Sequence, residues 1–302
     1  MQDRDAHAAA RQGRGVPAGR VLVLGGGGIT GIAWELGVLS GLRDAGADLT
    51  TPDLIIGTSA GAYVGALVAT GVDLAEAVAL LGDIEFELPA ELDLDTIVAG
   101  FATLTDLSLP AREARARVGA LARGVPVGDP ADHVARFAAA LPRHAWPTHP
   151  RLVVTGVHTG TGELAAWDAT AGVPLPEAVA ASCAVPAIFP PVDVGGTGFF
   201  MDGGVRSVTN ADLAAGAAAV VVIAPTDGAF RASPTEQLAA LGLERSYLIA
   251  PDEAAEDAIG SNLLDPGRRG PATDAGVAQG RALAAEVGRV WAEQATEAAR
   301  SA

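Results

Sequence analysis

Two short apolar runs near the amino terminus, each ending at a glycine turn and each followed by helical spacing, constrain this chain most. Val21–Leu24 is purely aliphatic and stops at Gly25-Gly26-Gly27-Gly28. Apolar residues then recur at Ile32, Leu36, Leu39 and Leu42, the period of one helix face, through Ala45. Asp53–Ile56 repeats the pattern, with Ser59–Thr70 as the following helix and Gly71 as its stop. A run too short for a helix, closed by glycine, reads as a buried strand. Strand, helix, strand, helix in succession predicts an α/β protein with a parallel sheet covered by helices.

The rest of the chain extends this scheme. Leu74–Leu141 is helical in character and is divided by Pro, Gly and Asp into short segments. Leu152–His158 and Glu163–Trp167 read as strands joined at Gly160-Thr161-Gly162, and Pro176–Cys183 as a short helix. Phe199–Met201 ends a strand, Ala219–Ala224 is a β-branched strand, Ser246–Ile249 is a further one, and Asp274–Ala299 is a long terminal helix. Gly260–Thr273, without periodicity, is expected to be a surface loop or lid. Residues 1–18 are expected to be a disordered tail, and 19–302 one domain, because no long linker divides them.

Charge and cysteine content remove several function classes. The net charge is −16, which opposes nucleic-acid binding and strong attachment to anionic membranes. At most transient membrane contact is expected. Cys183 is the only cysteine, so no internal disulfide forms, and a small buried residue is its expected role. The longest apolar run, Ala214–Pro225, is too short to span a bilayer, and the amino terminus lacks an apolar signal segment. A cytoplasmic protein is the expectation; oligomeric state is not legible.

Gly57-Thr58-Ser59-Ala60-Gly61, after a strand and before a helix, has the arrangement of a nucleophile elbow. A serine there sits on a sharp turn that needs small neighbours, supplied by Gly57, Ala60 and Gly61. An ordinary turn with a serine N-cap is the competing reading. A partner base is the next requirement. The histidines are His7, His133, His144, His149 and His158, and all read best as surface or hydrogen-bonded residues. Asp202 follows a strand and precedes Gly203-Gly204. A carboxylate takes a serine proton without needing tautomer control, and burial would raise its pKa toward a useful range. A plain Asp-Gly turn is the alternative.

Upstream, Gly26-Gly27-Gly28-Ile29-Thr30-Gly31 lies between strand and helix and exposes backbone N–H groups as an anion cradle. An oxyanion hole and a dinucleotide pyrophosphate site compete for it. The dinucleotide reading needs an acid at the end of the second strand, whereas Asp48 and Asp53 fall before or at its start.

The three turns in this order, with Ala181–Pro191 before the aspartate, resemble the patatin-like phospholipase family over Val21–Asn210. That family carries G-G-G-x-[Arg/Lys]-G, G-x-S-x-G and Asp-Gly-[Gly/Ala]. The resemblance implies a three-layer α/β/α fold with a central, mostly parallel sheet. It further implies a Ser59–Asp202 dyad, an acyl-enzyme intermediate, and lipase or esterase chemistry with no metal or other cofactor. The N–H groups of Gly27 and Gly28 would hold the oxyanion, and the helical middle with the Gly260–Thr273 loop would shape the acyl pocket. Thr30 departs from the family's Arg or Lys. A positive charge is lost while the backbone donors remain, so neutral lipids or small acyl esters gain over phospholipids as substrates. The same departure leaves open a weak or inactive lipid-binding protein.

Overall fold

The computed structural model describes residues 19–83, 93–228 and 231–292. The expected amino-terminal tail and the last residues of the expected terminal helix lie outside these. Within them, one eight-stranded sheet organises the chain. Its strands are β1 (Arg20–Leu24), β2 (Leu54–Gly57), β3 (Arg151–His158), β4 (Leu164–Trp167), β5 (Val192–Asp193), β6 (Phe199–Asp202), β7 (Ala219–Ile223) and β8 (Ser246–Ile249). The order is β5-β6-β3-β2-β1-β7-β8, with β4 also paired to β3. β3, β2, β1, β7 and β8 run parallel, β4 and β6 pair antiparallel to β3, and β5 pairs antiparallel to β6. The sheet is therefore mostly parallel and flanked by helices, the α/β/α architecture expected.

Strand alternation explains how the sheet holds two layers against it. Successive side chains point to opposite faces. Leu22, Leu24, Ile55, Leu152, Val154, Val221 and Ile223 belong to one core. Their neighbours Val21, Val23, Leu54, Ile56, Val153, Val220 and Val222 belong to a second. Each fully buried aliphatic side chain of this kind stabilises by about 1.5–3 kcal/mol. The first core is covered by α1 (Gly28–Asp44), α2 (Ala60–Ala69), α7 (Leu175–Ser182) and α10 (Arg269–Trp291). α1 and α10 pack backbone to backbone, because a Cβ at Gly37, Gly41, Gly276 or Gly280 would overlap the facing helix. The second core is closed by Ala211, Ala214 and by Leu238 of α8 (Pro234–Ala240).

The helical middle resolves into α3 (Leu74–Leu80), α4 (Leu94–Thr105), α5 (Ala111–Gly124) and α6 (Pro130–Ala140). One expectation is corrected. Gly260–Thr273 is not a continuous loop: α9 (Glu253–Ile259) stops at Gly260, a 3-10 turn spans Pro266–Arg268, and α10 begins at Arg269. Pro271 is tolerated because it falls in the first turn, where its missing N–H has no helical acceptor. No helix among the described residues is long and apolar enough to cross a membrane.

Candidate active site

The parallel strands β1 and β2 release their chains at the same end of the sheet, and each exit is a sharp turn into a helix. At the β2–α2 turn Ser59 has φ 54° and ψ −118°, a conformation that costs a non-glycine residue about 1–3 kcal/mol. Several contacts hold it there. Thr58 N–H donates to the Leu24 carbonyl at 3.1 Å and Gly61 N–H to the Gly25 carbonyl at 2.8 Å. The Ser59 N–H donates to Ser182 Oγ at 2.9 Å, and the Cys183 thiol to the Ser59 carbonyl at 3.2 Å. The small neighbours are obligatory: a Cβ on Gly57 would lie 2.6 Å from Ala62 Cα, and one on Gly61 would enter the Leu24 backbone.

Asp202 ends β6, with Gly156 of β3 as its register partner and its N–H donating to the Ala184 carbonyl at 2.9 Å. Its side chain is 5% exposed and accepts the Gly204 N–H at 2.7 Å. Burial pushes the carboxyl from 3.8 up to about 6; hydrogen bonding from the Ser59 side chain and from Gly204 N–H holds it from rising further. Gly203 is packed onto Thr155, leaving no room for a Cβ. Thus Ser59 and Asp202, far apart along the chain, are both anchored on the Ser182–Ala184 segment, Ser59 through Ser182 Oγ and the Cys183 thiol and Asp202 through the Ala184 carbonyl. Cys183 is buried as expected, and its thiol pKa rises through burial and the nearby Asp202 charge.

At the β1–α1 turn, Gly25 N–H donates to the Ile223 carbonyl at 3.0 Å and to Glu35 Oε1 at 2.9 Å. Gly26 N–H donates to the Val208 carbonyl at 2.8 Å. The N–H groups of Gly27 and Gly28 have no hydrogen-bond partner among the described residues. They lie at the amino end of a 17-residue helix, where the backbone dipoles favour negative charge. A Cβ on Gly26 would be 3.4 Å from Ser59 Cβ, so this turn lies against the serine. Gly28 is left-handed at φ 62°, and a Cβ on Gly27 would sit 2.5 Å from Pro225 Cβ. Gly31 also abuts Pro225, at 3.2 Å for a Cβ.

Thr30 is fully buried, and both its N–H and its Oγ1 donate to the Leu263 carbonyl, at 3.2 and 3.4 Å. The Gly260–Asp265 segment therefore lies on the start of α1.

The structure adds residues that the sequence did not single out. Asn210, left-handed at φ 50° and fully buried, donates through Nδ2 to Thr58 Oγ1 at 3.1 Å and to the Gly203 carbonyl at 3.3 Å. It ties the serine turn to the aspartate turn. Arg206 clamps Asn210 Oδ1 at 2.6 Å and pairs with Asp212 at 2.7 Å. Ser182 lies within the recognisable Ala181–Pro191 stretch, which is the one available signal.

Other candidates fall away from this cluster. No histidine among the described residues hydrogen-bonds Ser59 or Asp202. His133 is fully buried rather than on the surface, with Nε2 on the Ala180 carbonyl at 3.1 Å, and desolvation lowers its pKa to about 4. His158 Nδ1 accepts the Gly160 and Thr161 N–H groups of its own turn. Asp53 precedes β2 and accepts the Arg20 N–H at 2.7 Å, at the opposite end of the strand from the glycine turn. Asp48 accepts the Thr50 N–H. Neither acid is placed for a dinucleotide ribose. No group of His, Cys, Asp or Glu among the described residues forms a metal site.

This is a three-layer α/β/α protein with a strained serine beside a buried aspartate. The family model for patatin-like phospholipase matches residues 22–215, most of the chain, and the protein belongs to that family. Among solved structures it is similar to VipD from Legionella pneumophila, with 16% identity, TM-score 0.45, and coverage of 89% of this chain and 67% of VipD. It is also similar to the type III effector protein ExoU, with 18% identity, TM-score 0.40, and coverage of 92% of this chain and 54% of ExoU. The chain thus spans little more than half of ExoU's length. No curated protein matches it.

Proposed function

We propose that this protein is a serine acyl-ester hydrolase in which Ser59 is the nucleophile and Asp202 the base. The observation that carries this is a strained serine and a buried aspartate anchored on the same Ser182–Ala184 segment, with the carboxyl raised by burial to about 6. A carboxyl with that pKa is mostly ionised at neutral pH yet basic enough to accept a proton in the transition state. The reaction runs in two halves. Ser59 Oγ attacks the ester carbonyl carbon while its proton passes to Asp202. The tetrahedral oxyanion is held by the Gly27 and Gly28 N–H groups. The C–O bond to the alcohol breaks, the alcohol takes the proton from Asp202, and an acyl-Ser59 remains. Water then attacks the acyl carbon, giving its proton to Asp202. The carboxylic acid leaves as the proton returns to Ser59.

The substrate is a lipid or small acyl ester, and uncharged esters are favoured over phospholipids. Thr30 supports this: its donors are spent on the Leu263 carbonyl, and no positive side chain stands there. The Gly260–Asp265 segment is proposed as one wall of the acyl pocket. The chain's negative charge limits membrane contact to neutral or zwitterionic surfaces. No nucleic acid partner and no cofactor enter the scheme.

Hydrolysis of p-nitrophenyl esters of rising chain length, then of phosphatidylcholine, tests the reading. Wild type is expected to cleave the neutral esters and Ser59→Ala to lose that activity. A wild type that binds fatty acid but cleaves no ester would favour instead the lipid-binding reading that Thr30 leaves open.

A further inference from the structure

One ionisable group in the buried core has no part in the chemistry above. Glu35 lies in α1 with no exposed surface. A glutamate there costs stability unless its polar atoms are matched. One is matched, since Oε1 accepts the Gly25 N–H at 2.9 Å. The other, Oε2, has no partner among the described residues. Burial pushes the carboxyl well above the usual carboxylate range, against the pull of the Gly25 hydrogen bond. The oxygen that accepts the Gly25 N–H is the useful atom.

What that oxygen does follows from the N–H accounting of the turn. Glu35 and the Ile223 carbonyl share the Gly25 N–H, and the Val208 carbonyl takes the Gly26 N–H. These acceptors turn the first two glycine amides inward. Anchoring these two amides fixes where the chain stands as it enters the next two residues. Those are Gly27 and Gly28, whose N–H groups are left without partners among the described residues. A buried side-chain acceptor one helical turn beyond Gly31 thus holds the root of the oxyanion turn.

We infer that Glu35 is a positioning residue that holds the Gly25 amide and thereby aims the Gly27 and Gly28 N–H groups at the oxyanion. It touches neither substrate nor Ser59, and the inference rests on the hydrolase reading above. Two variants separate its roles. Glu35→Gln keeps a carbonyl oxygen and the side-chain shape, whereas Glu35→Leu keeps the volume and removes the acceptor.

The experiment measures kcat and KM on p-nitrophenyl butyrate, Tm, and the backbone amide NMR shifts of Gly27 and Gly28 for all three proteins. Expected for Glu35→Leu is a fall in kcat of about 10- to 100-fold, on the scale of a weakened oxyanion donor, with KM little changed. Its Tm should be unchanged or raised, and its Gly27 and Gly28 amide shifts moved. Glu35→Gln should restore kcat to within about threefold and the wild-type shifts. A Glu35→Gln as impaired as Glu35→Leu, or a kcat loss that merely follows a fall in Tm, would overturn the inference. The amide shifts decide the matter even if wild type cleaves no ester: shifts unmoved in Glu35→Leu sink the positioning role, while absent hydrolysis alone sinks only the functional reading.

Discussion

The two turns leaving β1 and β2 lie side by side at one rim of the sheet, yet they are built on opposite terms. The β1–α1 turn is made of glycines and offers bare amides; its unusual conformation, φ 62° at Gly28, is natural for glycine. The β2–α2 turn must carry a side chain, so it holds a serine at φ 54° and gives the glycines to the flanks. Packing differs accordingly. The first turn rests on the Pro225 ring and the Leu263 carbonyl, the second on the backbone of Leu24 and on Ser182. Donors for a negative charge require the absence of side chains, whereas a nucleophile requires one side chain and the absence of its neighbours'.

Substitutions in each turn test this contrast. The largest effect is expected from Ser59→Ala, with ester hydrolysis falling by more than about 10⁴-fold while the fold persists, checked by kcat and circular dichroism. Next, Asp202→Asn should lower kcat by about 10³-fold, within the range of a lost general base. The same variant should be more stable above pH 6. The folded carboxyl ionises near 6 and the unfolded one near 3.8, so the folded state holds its proton more tightly. Stability is therefore lost as pH rises between these values, and Asn removes that loss, a gain of about 2–3 kcal/mol at pH 7 in urea unfolding.

The flanks should separate folding from chemistry. Gly61→Ala puts a Cβ into the Leu24 backbone and should cost about 3 kcal/mol of stability. Gly27→Ala places a Cβ 2.5 Å from Pro225 Cβ and 2.9 Å from Gly31 Cα, overlaps less severe than the 2.2 Å to the Leu24 backbone at Gly61. It should cost less stability, about 1 kcal/mol, with a larger share of its effect in kcat. Equal stability losses from both would break the contrast. The smallest effect is expected for Thr30→Val, which removes the Oγ1 bond to Leu263 but keeps the N–H bond, with a change in kcat/KM of about threefold.

Much of this was legible because local pattern and fold agree along β1, α1, β2 and α2. Aliphatic runs closed by glycine mark both the strands and the rim at which their turns meet. The short helices α8 and α9 escape notice because each has only seven residues, too few to display a helical period. α8 nevertheless carries a start signal, since Ser233 and Glu236 form a capping box. Gly260–Thr273 reads as a loop because its prolines and glycines mask the first turn of α10. Within the site, Ser59 and Asp202 stand in recognisable turns. Glu35, Ser182 and Asn210 do not, because the meaning of a buried polar residue lies in its distant partner. A glutamate in a helix ordinarily reads as solvent-facing, and nothing local marks the Gly25 amide as the donor to its carboxyl.

The pairing of hydroxyl and carboxylate is tested most directly by the pH dependence of fluorophosphonate labelling, with the modified peptide identified by mass. Labelling should fall on the peptide carrying Ser59, with a rate that rises through a single ionisation near pH 6 and loses that step in Asp202→Asn. Label on another residue, or a step near pH 6 that persists in Asp202→Asn, would contradict the account.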